Sequence, residues 1–150
     1  MPVELINQHP NIPSPIISDC RKASERVIEM CDVDDHQVNI VLMSDAAITE
    51  LNSRYRNLDK ATNVLSFAFD ENNEVPEQIR DLKELGDVVI SFDRAVDEAK
   101  TYECTVQHRL NWLIIHGVLH LLGYDHERSQ RDAEIMFGKE QSLLTQINDF

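Results

Sequence analysis

The chain has 150 residues, 42% of them hydrophobic, and a net charge of −13. That length predicts one domain with a sizeable core, about two-thirds of the extended surface being buried on folding, and the composition excludes a disordered chain. The negative charge disfavours broad electrostatic attachment to nucleic acid, though it leaves room for one local cationic groove.

In chain order, Val3–Gln8 reads as a short strand, and Pro10, Pro13 and Pro15 then interrupt regular structure. Cys20, Ala23, Val27 and Met30 recur at helical spacing and predict a helix over 18–30, with Ser18 or Ser14 as cap. Val38–Met43 (VNIVLM) is expected to be a central strand buried on both faces. Ser44 and Asp45 offer a cap to a short helix marked by Ile48, Leu51 and Tyr55. Thr62–Phe69 alternates as a strand does, and the acidic stretch 70–85 holds a short helix after Pro76. Gly86–Phe92 is another strand; Asp93 is expected to cap a helix through Ala99. A longer helix runs from Thr105 to Leu122 and stops at Gly123. SQRD at 129–132 resembles a capping box and opens a last helix to about Ile147. The sum is a single α+β domain over 1–150, with a mixed four-stranded sheet flanked by five or six helices.

No run of apolar residues is long enough for a membrane span, and the first fifteen residues lack the basic start and apolar block of a secretory signal. The expected compartment is therefore the cytoplasm. Cys20, Cys31 and Cys104 are scattered and odd in number, so they read as reduced thiols without disulfide partners.

The chemistry concentrates in HGVLHLLGYDH, residues 116–126. His116 and His120 stand four apart on the end of a helix and can turn both imidazoles to one ion. Gly123 lets the chain leave the helix and fold back, so that His126 reaches the same ion from another side; a straight helix would carry it too far along the axis. Two imidazoles in so apolar a helix would each be costly without a partner. Three neutral ligands leave one tetrahedral position for water, the pattern of catalytic zinc, although nickel, copper and cobalt also accept imidazole. In zinc proteases a glutamate follows the first histidine as base; here Gly117 stands there, for close packing or for room. Asp125 and Glu127 flank the third histidine and can orient a ligand or accept a proton, or simply be solvated turn carboxylates.

This stretch resembles the signature of the YbeY family of bacterial metal-dependent endoribonucleases. Tyr55–Phe67 (YRNLDKATNVLSF) and Leu85–Ser91 (LGDVVIS) resemble the family's second and third motifs, and order and separation agree over roughly residues 35–145. Ala68 departs from the family, which often has proline there. The resemblance implies zinc held by His116, His120 and His126, and single-stranded RNA as substrate in ribosomal RNA processing, including 16S rRNA maturation and ribosome quality control. It also implies a catalytic role for Arg56. On the residues alone Arg56 reads equally as a surface arginine at a helix end; a planar guanidinium would nonetheless suit the charge that builds on phosphoryl oxygens. Arg54, Arg56 and Lys60 make the segment locally positive within an acidic body, which suits RNA in one groove and docking to basic proteins of the small ribosomal subunit.

The expected mechanism is attack on phosphorus by metal-bound hydroxide, with Arg56 steadying the developing charge. Two alternatives stand beside it. One is a zinc peptidase or amidase using the same histidines with a substitute base. The other is a ribosome-assembly factor whose metal is only structural.

Overall fold

The computed structural model describes residues 3–56, 62–68, 84–127 and 129–147, the side chain of Arg56 excepted. The expected helix after Pro76 and the positions of Lys60 and Phe69 lie outside the described residues. Within them the chain runs β1 (Val3–Asn7), α1 (Ser14–Met30), β2 (Gln37–Met43), α2 (Asp45–Arg56), β3 (Val64–Ala68), β4 (Glu84–Ser91), α3 (Phe92–Thr101), α4 (Val106–Leu121) and α5 (Gln130–Ile147). The strands form a mixed sheet in the order β1-β2-β4-β3, in which β1, β2 and β4 are parallel and β3 is antiparallel to β4. The expected α+β architecture is what forms.

Period-two patterning decides which face is the core. Val38, Ile40 and Leu42 of β2 and Val88 and Ile90 of β4 are fully buried in one core with α1 and α4, and α5 packs on those two helices. The opposite face carries a smaller cluster of Met43, Leu65 and Val89 under Ile48 of α2. β2 is central as expected, but its second face is less buried than its apolar run suggests. Asn39 and Val41 there are only half-buried, and Asn39 bonds Asp87 across the sheet at 2.8 Å.

Helix starts differ from expectation in two places. α1 begins at Ser14 behind Pro13 and has no side-chain cap, with Pro15 inside its first turn; a proline there loses nothing, because those N–H groups have no helical partner. The helix therefore needs neither Ser14 nor Ser18 as cap. α3 is capped by Ser91, whose Oγ accepts from Arg94 N at 3.2 Å, and not by Asp93. The Asp93 carboxylate instead accepts from Asp45 N and meets His9 Nε2, each at 2.8 Å. The Asp45 amide first, and His9 after it, hold the Asp93 carboxyl below its usual range. Those contacts tie the starts of α2 and α3 together at the C-terminal end of the parallel strands.

α4 is apolar almost all round, with Leu110, Leu113, Ile114, Ile115, Val118 and Leu119 fully buried, which makes it the central helix of the core. It lies directly on β3 and β4. A Cβ built at Gly117 would stand 2.4 Å from Val88 Cγ1, and Ser66 Oγ donates to the Gly117 carbonyl at 3.0 Å. Of the two roles open to Gly117, packing is the one it fills. Among the described residues, no helix is long and apolar enough to cross a membrane.

Candidate metal centre

The helix expected from Thr105 starts one residue later, at Val106, because Thr105 is its cap, with Oγ1 accepting from His108 N at 3.0 Å. The other end closes in a Schellman turn: Tyr124 N donates to Leu119 O at 3.0 Å and Gly123 N to His120 O at 3.1 Å. Gly123 has φ of +99°, a conformation that glycine adopts without strain. Tyr124 packs on the core and anchors the reversal, which delivers His126 beside the helix it has just left.

The three histidines come together. His116 and His120 have ring centroids 4.7 Å apart, and each is 5.3 Å from His126. One ligand nitrogen from each lies within 4.8 Å of the others. The Nε2 atoms of His116 and His120 are 3.1 Å apart. Two nitrogens bound tetrahedrally at 2.0–2.1 Å from one ion would stand about 3.3–3.4 Å apart, so this pair fits a shared cation almost without movement. His126, with an exposed side chain, stands within 4.8 Å of the other two through one ring nitrogen. The donor set, three imidazoles without cysteine, fits a divalent transition metal with a coordination position left for solvent.

The cluster lies in a cleft of roughly 740 Å³. Thr62–Ser66 and Ala68, on and just before β3, line one wall; Trp112, the histidines and residues 123–127 line the other. Burial first, then the neighbouring His116 and His126, hold the His120 pKa below the ordinary imidazole value. The unfolded chain therefore takes up this proton at a higher pH than the folded one. Metal-free protein should lose stability as pH falls from about 6.5 toward the lower folded value. Urea midpoints measured at pH 7 and pH 5 should show that loss, and His120→Asn should make it smaller.

The flanking carboxylates lie on the turn that carries His126. Asp125 Oδ1 accepts from Glu127 N at 2.8 Å and shapes the turn, while the well-exposed Glu127 only approaches His126 Nε2, at 4.0 Å. A carboxylate from the last helix meets one of the rings: Glu140 Oε1 is 2.6 Å from His116 Nδ1. The sequence reading passed over Glu140. Its signal was a glutamate in the apolar row Met136, Leu143, Leu144 and Ile147 of α5, where a charge has no place unless something answers it. Arg56 is the last residue of α2; its side chain lies outside the described residues.

Fold and site together define an α+β protein with a three-histidine metal centre in an open cleft. The family profile described as Endoribonuclease YbeY matches residues 6–148, and the chain belongs to that family. A protein of Persephonella marina named Endoribonuclease YbeY is 38% identical over 130 residues, covering 87% of this chain and 82% of that one. One of Desulforamulus reducens with the same name is 41% identical over 113 residues, 75% of this chain and 73% of the relative. The solution structure of a Thermotoga maritima protein is similar with a TM-score of 0.66 at 25% identity, over 96% of this chain and 89% of that one.

Proposed function

We propose that the protein is a metal-dependent endoribonuclease specific for single strands, acting as one domain in the cytoplasm on ribosomal RNA, in 16S rRNA maturation and ribosome quality control. The observation that carries this reading is the convergence of His116, His120 and His126 on one point in an open cleft, in a chain of the Endoribonuclease YbeY family. Relatives that bear that name are the support for RNA as substrate.

In this reading the three histidines hold one ion, zinc or another divalent transition metal such as nickel. When bound, such an ion supplies Lewis acidity and lowers the pKa of water in its open position. The chain's own residues do the rest. His116 and His120 bring their Nε2 atoms to 3.1 Å, and His126 offers one ring nitrogen to the same centre. The Arg56 guanidinium binds two non-bridging phosphoryl oxygens as their charge develops. Thr62, on the opposite wall, offers a hydroxyl to the ribose and phosphates of an extended strand, beside Asn63, whose amide nitrogen is held by the Glu98 carboxylate. Single strands suit this arrangement because their sugars and bases can be splayed into a cleft, which a duplex does not allow. The acidic body disfavours other nucleic acid and suits delivery by basic proteins of the small ribosomal subunit.

The peptidase reading weakens on geometry. Position 117, where a protease carries its glutamate, faces Val88 and Ser66 in the sheet and not the histidines. Incubating metal-loaded protein with labelled single-stranded RNA and with casein separates the two, and only RNA should be cut. Arg56→Ala should keep its metal and cut RNA at least about 100-fold more slowly, the usual cost of losing a charge-stabilising donor. Cleavage at the normal rate by that variant would remove Arg56 from the mechanism.

A further inference from the structure

Burial of Glu140 is the fact the proposed reaction leaves unused. Its residue is 3% exposed, in a core position of α5, where a carboxylate is unfavourable unless paired and hydrogen-bonded. The partner is His116 Nδ1 at 2.6 Å. The His116 ring is fixed a second way, stacked on Trp112 with centroids 4.9 Å apart and planes 20° from parallel. Trp112 is in turn backed by the Arg109 guanidinium, 4.2 Å from its ring centre. The aromatic contact sets the plane of the imidazole and the carboxylate sets which nitrogen carries the proton. With Nδ1–H donating to Glu140, Nε2 presents its lone pair toward His120 Nε2, 3.1 Å away.

We propose that Glu140 is the positioning residue of the metal centre: from α5 it selects the tautomer and direction of His116 in which Nε2 can take a ligand's place. This rests on the three histidines being the metal ligands. A bond from a ligand's second nitrogen to a carboxylate strengthens the first as a donor, and its loss typically costs 10- to 100-fold in metal affinity. It also makes α5 part of the site, although that helix lines none of the cleft.

The test compares wild type with Glu140→Leu, Glu140→Gln and, as a control for loosened helix docking, Ile147→Val. Zinc affinity is measured by competition with a chromophoric chelator at fixed pH. Metal-free thermal midpoints and the His116 tautomer, from long-range proton–nitrogen NMR correlations, are measured beside it. Glu140→Leu should bind zinc about 10- to 100-fold more weakly. Its metal-free melting temperature should stay within a few degrees of wild type, because the buried carboxylate is removed while the partly exposed His116 ring can move its proton to the other nitrogen. Its metal-free His116 should shift from the Nδ1–H form toward Nε2–H. Glu140→Gln, which keeps an oxygen acceptor, should lose less. Ile147→Val should melt a few degrees lower, roughly 2–5 °C, with unchanged affinity. Zinc affinity of Glu140→Leu within twofold of wild type, an unchanged His116 tautomer, or an equal loss of affinity in Ile147→Val would each overturn the assignment. Wild-type protein that binds no zinc would instead overturn the three-histidine reading beneath it.

Discussion

Placing glutamate at position 117, where zinc proteases carry their base, severely destabilises this protein instead of arming it as a peptidase. The Cβ of any residue there meets Val88 Cγ1 at 2.4 Å, and Val88 is a stiff β-branched side chain, fully buried on a strand flanked by two others. Alanine alone overpacks the contact by about 1–3 kcal/mol, less about 1 kcal/mol regained from helix propensity. Glutamate adds a carboxylate pressed between the helix and Ser66, where Oγ is already given to the Gly117 carbonyl. The combined cost should exceed about 4 kcal/mol, a large part of the 5–15 kcal/mol that holds a domain together. Urea denaturation followed by far-UV circular dichroism measures it. A Gly117→Glu protein that melts like wild type and cuts casein would show that this face of α4 is free to turn toward the cleft.

The second large effect belongs to His126. Its side chain is 44% exposed, so alanine there removes little packing and the metal-free fold should melt within a few degrees of wild type. The site, however, drops from three ligands to two. Losing an outer partner of a ligand already costs 10- to 100-fold in metal affinity, so losing a ligand itself should cost at least about 100-fold. RNA cleavage should fall with metal occupancy. The assembly-factor alternative predicts otherwise: His126→Ala would melt earlier only in the presence of metal, and RNA binding and cleavage would not change.

The strands were readable as short apolar segments, alternating at Thr62–Phe69 and continuous at Val38–Met43, and α4 because its histidines interrupt an otherwise apolar helix. Gly123 and His126 were readable together, since a glycine stop followed by a third histidine makes sense only if the chain turns back. What could not be read depends on contacts distant in sequence. Asp93 lost its expected capping role because Ser91 is better placed to accept from Arg94 N, and because the α2 amide at Asp45 competes for its carboxylate. The second face of β2 is half-open because its partner on that side is one short helix, which a local apolar run does not reveal. Glu140 lies 24 residues from the histidine it meets. Only its odd place in an apolar row hinted at a partner, and the row itself does not say which.

Metal content per chain, read by elemental analysis on purified wild type beside His120→Ala, decides whether the three histidines hold an ion. One equivalent of a divalent transition metal in wild type, and close to none in the variant with its fold intact, is the predicted result. Equal metal in both proteins, or a wild type that takes up none when offered zinc or nickel, would contradict the account.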